Sequence, residues 1–337
     1  MPEDGFFNRK ADEEVFNTPQ KKYIRHEVWS KYARIRKEKC HSDFVRYLTF
    51  PAEGCYDIKI LEGMGLLKTL QINGRTKYKS VGFCETDSEK FARIQEKLPD
   101  ARHHNGEYED LVGAYNTSIP DKAQRWFPFD VINLDFTSPL FYWKYSVNKE
   151  KVTNSILRTF QIQKIRHTSF TLFLTLPARK DDDILSGKEK LDNIVKDNLV
   201  NPRQIQFKKK FFEKYNINMN SYIFDQIDYR EYLLISIPKM VINMGTRESF
   251  DVVCCERFSY RGDHYDGRSN LTNMLTFVFE CELIGNSDGY TGKNPVELLN
   301  ERYPMRVLDY FTSKFIVIND LFESDNGIKT RYMGITF

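Results

Sequence analysis

Four acidic residues each stand where a strand-like run gives way to a turn. Glu62 follows the run 58–61 and opens Glu62-Gly63-Met64-Gly65. Glu85 follows the run 79–84 and precedes Thr86-Asp87. Glu107 follows Gly106 after a weaker run at 101–104, and Asp135 closes the run 129–134 ahead of Phe136-Thr137-Ser138-Pro139. In an open parallel sheet a ligand binds beyond the carboxyl ends of the strands, where the strand order reverses. An ionised carboxylate is a pure acceptor, so acids in that place can hold hydroxyl-bearing or cationic groups, and Glu85 suits a ribose diol. Gly63 and Gly65 either let the backbone come close to a ligand or form an ordinary tight turn. Asp87 or Ser88 also reads as a helix cap. Phe136, Phe141, Tyr142 and Trp143 cluster just after Asp135. They either wall a pocket and stack on a flat base or pack beneath the next helix.

The elements that must position these residues alternate. The runs 58–61, 79–84, 101–104, 129–134 and 169–176 read as strands. Helices are expected at 66–72, after the cap at 87–88, and at 149–166, where Val152, Ile156 and Phe160 recur at helical spacing. That rhythm predicts an α/β fold: a Rossmann-like, doubly wound, mainly parallel sheet. Residues 178–248 read as helical, and 250–260 with 272–282 as an antiparallel hairpin around a polar loop. The resulting organisation is a loose acidic tail (1–18), a basic helical segment (19–50), a Rossmann-like core (51–180), a helical insertion (181–249), a closing hairpin (250–285) and a C-terminal α/β extension (286–337), with a helix near 294–312 and a strand at 314–318.

The 337 residues suffice for two modest domains or one large one with additions. Hydrophobic residues at 41% and charged residues at 29% fit a soluble globular protein. No apolar run approaches the roughly 20 residues of a membrane span, and the amino terminus lacks a signal-peptide core. The six cysteines form no CxxC pair, which predicts reduced core thiols, a cytoplasmic protein and no metal site. The net charge of +3 is too small to announce a nucleic-acid partner. Basic residues are concentrated, however, in a helix expected at 19–39, opened by Thr18-Pro19 and carrying Lys21, Lys22, Arg25, Lys31, Arg34, Arg36, Lys37 and Lys39. This is either a solvated face or a phosphate-facing one, and Lys208, Lys209 and Lys210 form a second basic knot. The aromatic content of 14% raises the question of base reading against core filling. Phe170, Phe173, Phe277 and Phe279 in strands, and Phe207, Phe211 and Phe224 in the helical region, favour the core.

The order of these features resembles the class I S-adenosylmethionine-dependent methyltransferases over 56–180, with the hairpin at 250–282 matching that fold's final reversed strand pair. The resemblance implies S-adenosylmethionine as cofactor. Val81 to Lys90 looks like the family's second strand, so Glu85 would hold the cofactor ribose. Glu62, Gly63 and Gly65 would form the glycine-containing loop facing its amino-acid part, although their glycines stand one position early. Glu107 would lie near the adenine amine. Asp135 matches the acid beside the methyl donor and would orient an acceptor amine, helped by Thr137 and Ser138. The segment Asp135-Phe136-Thr137-Ser138-Pro139 is similar to, and one residue shorter than, a motif of tRNA guanine dimethyltransferases. Ile24 to Tyr32 is similar to the basic helix of three-cysteine-motif partner proteins. Two expectations follow. One is an enzyme methylating an amine on nucleic acid, RNA or DNA. The other is a methyltransferase-shaped subunit without turnover, holding protein partners or nucleic acid in an assembly. A dinucleotide-binding domain is a third, weaker reading, since the chain has no GxGxxG.

Overall fold

The structure is a computed structural model and describes residues 18–72, 74–141, 150–180, 183–262, 272–285, 295–313, 315–324 and 327–335. The tail 1–17, Tyr142, Trp143 and most of the hairpin loop lie outside the described residues.

A nine-stranded sheet organises the chain. Strand β1 (Tyr47–Thr49) pairs in parallel with β4 (Val81–Glu85) on one side and with β6 (Val131–Asp135) on the other. From β1 the chain runs outward through helix α2 (Tyr56–Gly63), the small hairpin β2 (Leu70–Ile72) and β3 (Arg75–Lys77), β4, helix α3 (Ser88–Lys97) and β5 (Arg102–Asn105). It then returns through α4 (Tyr108–Val112) and α5 (Asp121–Trp126) to β6, so the strand order reverses at β1. Helix α6 (Lys151–Ile165) leads to β7 (Phe170–Pro177), every residue of which is buried, as expected for a strand covered on both faces. Helices α7 (Leu185–Val200), α8 (Ile205–Tyr215) and α9 (Tyr229–Arg247) follow. Strands β8 (Phe250–Gly262) and β9 (Thr272–Leu283) then form the hairpin, with β9 antiparallel to both β7 and β8. Helix α10 (Pro295–Thr312), β10 (Phe315–Ser324) and β11 (Gly327–Ile335) extend the sheet beyond β8.

The architecture is thus the expected α/β, doubly wound, mainly parallel sheet with a reversed strand seated between two parallel ones. Alternation along β6 shows the double winding: Val131 enters one core with α2 and α3, and Ile132 enters the other with α4, α6 and α9. No helix among the described residues is long and apolar enough to cross a membrane.

Three local expectations are corrected. Residues 58–61 are helical and the first strand lies earlier, at Tyr47–Thr49. Ile58 and Leu61 are buried while Lys59 is exposed, a one-sided helical pattern that four residues cannot distinguish from a buried strand. The helix expected at 66–72 is instead the start of the β2–β3 hairpin. The extension after 286 carries a second strand, β11, which had not been expected.

Ahead of β1 lies helix α1, built from Pro19–Tyr23, a π-wound stretch Ile24–Trp29, and Ser30–Lys39. Thr18 caps it, its hydroxyl accepting from the Lys21 N–H, with Pro19 in the first turn. Its apolar side packs on the sheet, where Trp29 stacks on Phe173 at 5.8 Å. Its carboxyl half is fixed by an ion-pair seam. Arg36 is buried and donates to Glu282 at 2.7 Å, Lys31 donates to Glu256 at 2.6 Å, and Lys39 pairs with Glu280. Much of the basic helix therefore faces acids of β8 and β9.

Helix α9 buries Lys239, which is 1% exposed and donates to the Tyr303 hydroxyl on α10. Burial lowers its pKa from 10.5 to about 7, with Asp197 opposing. The unfolded chain therefore binds the extra proton between about pH 7 and 10.5, so stability rises with pH across that window and the full penalty is present below it. Lys239→Met should raise stability at pH 7 by about 1 kcal/mol or more and flatten this rise. Urea unfolding at several pH values measures both.

Candidate functional site

The reversal of strand order at β1 opens a cleft of about 640 Å³ beyond the carboxyl ends of β1, β4, β5 and β6. The volume lies in the ordinary range for small-molecule sites. One wall is the loop from Phe50 to Cys55, which joins β1 to α2. A Cβ at Gly54 would stand 2.3 Å from the Tyr56 ring, so a larger residue there would have to turn that ring aside.

The cleft floor is a buried hydrogen-bond knot. Asp57, in the first turn of α2, accepts from the Tyr47 and Thr49 hydroxyls, each at 2.7 Å. Asn133 on β6 donates its amide to the same Tyr47 oxygen at 3.0 Å. The Asn133 carbonyl oxygen is buried, has no hydrogen-bond partner among the described residues, and belongs to a residue lining the cleft. A buried acceptor left unmatched in this way favours a donor supplied from outside the chain.

Of the residues expected to bind cofactor, the structure brings Glu85 and Glu107 to the cleft. Glu85, at the end of β4, accepts from the Asp87 N–H at 2.9 Å. Asp87 caps α3, and the N–H groups of Lys90 and Glu89 hold its carboxyl below the usual range. Glu107 precedes α4 and pairs with Lys151 at 2.6 Å. Glu62, Gly63 and Gly65 are not in the cleft. Helix α2 places them at its far end, where Glu62 accepts from the Tyr78 hydroxyl at 2.9 Å and Gly65 makes the turn after the helix at φ +65°. The glycine-loop expectation for these three residues is therefore withdrawn, and the loop in that position is Phe50 to Cys55.

Asp135, Phe136, Thr137 and Ser138 all line the cleft. Asp135 pairs with Lys21 of α1 at 3.3 Å, both side chains being about 15% exposed or less. Phe136 meets Phe50 edge-on at 5.4 Å, giving the cleft an apolar wall. Phe141 does not contribute. It is buried against Gly187 of α7, its N–H bound by Asp183, because the chain dives under that helix. Tyr142 and Trp143 lie outside the described residues. Lys208, Lys209 and Lys210 are exposed on α8, which packs on α7 and α10 and lines no part of the cleft.

Electrostatically, seven carboxylates and five Lys or Arg side chains line the cleft, a balance that suits a cationic ligand. Burial pushes the Glu109 carboxyl and the Cys84 thiol up, so Cys84 is held as a thiol and is no nucleophile at neutral pH. Sequence reading missed Lys21, Asn133 and the 50–57 segment as site residues. The Pro and Gly after Tyr47-Leu48-Thr49 were the available signal for the last.

The sequence model of the PP_RS20740-like family matches residues 14–289. The chain belongs to that family. No curated protein matches this family member by sequence. Among solved structures, it is similar to an S-adenosylmethionine-bound amino pentose methyltransferase from Micromonospora echinaspora at 13% identity and TM-score 0.31, over 55% of this chain and 62% of that one. It is also similar to a putative RNA methyltransferase from Pyrococcus horikoshii at 10% identity and TM-score 0.34, over 75% of this chain and 84% of that one. A putative zinc-dependent alcohol dehydrogenase from Rhodobacter sphaeroides overlaps at 10% identity and TM-score 0.32, over 81% of this chain and 98% of that one. The strand order, with β9 reversed between β7 and β8, is that of a class I methyltransferase-like fold.

The buried knot makes a stability prediction. Asp57→Ala leaves two buried hydroxyls without their acceptor and should cost about 2–4 kcal/mol in urea unfolding. Glu85→Ala, at the half-exposed cleft rim, should change stability by less than about 1 kcal/mol.

Proposed function

We propose that this chain is an S-adenosylmethionine-dependent methyltransferase acting on an amine nitrogen, with nucleic acid as the favoured substrate class. The observation that carries it is the convergence of Glu85 and Asp135, from two strand ends on either side of β1, in one cleft at the switch point. When bound, the cofactor supplies an electrophilic methyl group on a sulfonium. The residues fit such a group: an acceptor carboxylate at the end of β4 for a ribose diol, and a surplus of acids toward a cation.

The chain's own contribution is positioning and exclusion of water. The Asp135 carboxylate would accept an N–H of the acceptor and so aim the nitrogen lone pair, with the Thr137 and Ser138 hydroxyls beside it. Phe50 and Phe136 would shield the reacting nitrogen from water. Lys21 donates to one Asp135 oxygen at 3.3 Å in this structure, so an acceptor N–H would share the carboxylate with it or displace it.

A second reading is a subunit of the same shape without turnover, serving an assembly. It is favoured by the two lysines already seated on Asp135 and Glu107, and by the single glycine in the 50–55 loop.

Calorimetry with S-adenosylmethionine separates the two. Binding is expected for the wild type, and Glu85→Ala should weaken it about 10- to 100-fold, the loss of one or two hydrogen bonds to a charged group. No binding at millimolar cofactor would leave the second reading.

A further inference from the structure

Two residues that line the cleft each hold a buried polar atom without a partner among the described residues: the Trp29 indole N–H on α1 and the Asn133 side-chain oxygen on β6. Trp29 is 5% exposed and Asn133 1%. The first atom only donates and the second only accepts. The buried knot sets the orientation of the Asn133 amide. The Tyr47 and Thr49 hydroxyls both give their protons to Asp57, so their oxygens can only accept. The Asn133 amide nitrogen meets those oxygens at 3.0 and 3.4 Å. A reversed amide would set its oxygen against two acceptors, so the oxygen is the atom left over.

The two groups are neighbours on one face of the sheet. Asn133 stands opposite Phe173 in the β6–β7 ladder, where strands run about 4.8 Å apart. The Trp29 ring stacks on that same Phe173 at 5.8 Å. Side chains two apart on a strand share a face, so Asp135 is the next one along, toward the carboxyl end of β6. Both atoms are covered, so a ligand edge reaches them by parting the indole from the amide. Among the described residues only packing holds the indole, with no hydrogen bond to break.

We propose that Trp29 and Asn133 are specificity residues that read the Watson–Crick edge of an unpaired acceptor base, adenine or cytosine. Each of these bases carries its amine beside an unprotonated ring nitrogen. Asn133 would accept from the amine, and the indole N–H would donate to the ring nitrogen. Guanine sets a second donor beside its amine on that edge, and uracil has no amine. Both protein groups are neutral, which suits a neutral heterocycle. An ammonium or carboxylate would give up its hydration here for a single neutral hydrogen bond. Glu85, the acid suited to the donor's ribose, lies across β1 from Asn133, so a base held at β6 belongs to the acceptor. The inference rests on the reading of this cleft as an amine-methylating site for nucleic acid.

The test is fluorescence anisotropy of the full chain with short labelled single strands, with cofactor calorimetry on the same samples. Strands of adenine should bind about tenfold more tightly than strands of uracil. Replacing the adenine ring nitrogen beside the amine by C–H should weaken wild-type binding about fivefold. Trp29→Phe keeps a ring on Phe173 and removes the N–H, so in that variant the same replacement should cost nothing. Circular dichroism should show the variant folded. Asn133→Ala would break the knot, so its half of the pair is tested on the ligand: adenine dimethylated at its amine should bind the wild type about fivefold more weakly. An equal ring-nitrogen penalty in both proteins would leave a bridging water as the indole's partner and overturn the assignment. Equal binding of adenine and uracil, or an unchanged affinity for the dimethylated base, would overturn the base. Trp29→Phe weakening S-adenosylmethionine while the ring-nitrogen penalty persists would assign the indole to the cofactor's own adenine and overturn the acceptor. Cofactor binding without base discrimination sinks this inference alone, and discrimination without cofactor binding sinks only the methyl-donor reading.

Discussion

The site depends on one buried carboxylate. Asp57 takes both hydroxyls that β1 offers, and Asn133 of β6 donates to the Tyr47 hydroxyl oxygen. The three elements that meet at the switch point are thereby tied by directional bonds rather than by apolar packing alone. β1 has only three residues, so its two ladders contribute little; the knot supplies what a longer strand would have supplied by pairing. The same bonds fix where α2 starts and hence the course of the Phe50–Cys55 loop that walls the cleft. A hydrogen bond to a buried charge is strong when made and costly when lost, which makes this floor rigid.

Around that floor the architecture was largely legible. β4, β6 and β7 announce themselves as apolar runs closed by Glu85, Asp135 and Pro177, and helix α3 by the Asp87 cap and Pro99. The error at 58–61 came from length. A three-residue strand lies below the window in which alternation can be recognised, while Ile58-Lys59-Ile60-Leu61 fits both periods. Once the strand was misplaced, Glu62, Gly63 and Gly65 inherited a role that the helix geometry removes. The acids at the other three strand ends were found because a strand end can be read locally.

What could not be read locally is pairing. The cations of α1 meet Glu256, Glu280 and Glu282, more than 200 positions away, and nothing in the composition of the helix shows that much of it is turned inward. The aromatic residues behave likewise. Phe160, Phe170 and Phe250 pack edge to face, as do Phe207 and Phe311, and Phe141 sits beneath α7. Rings are large apolar payloads first, and only those left at a rim can recognise a ligand. Among the described residues, the rings lining the cleft are Trp29, Phe50, Tyr56, Tyr108 and Phe136.

The lysines seated on Asp135 and Glu107 bear on selectivity. The Lys21–Asp135 pair is sheltered on both sides, so it is worth more than a surface pair but less than its Coulomb energy, because both groups have lost part of their hydration. A ligand that offers Asp135 only apolar surface would leave the carboxylate uncompensated and would not displace Lys21. A ligand with N–H donors replaces one set of charge-assisted bonds with another, at small net cost. Under the proposed function, the pair would favour a ligand that brings hydrogen-bond donors. Lys21 stands on the same helix as Arg25, and both line the cleft.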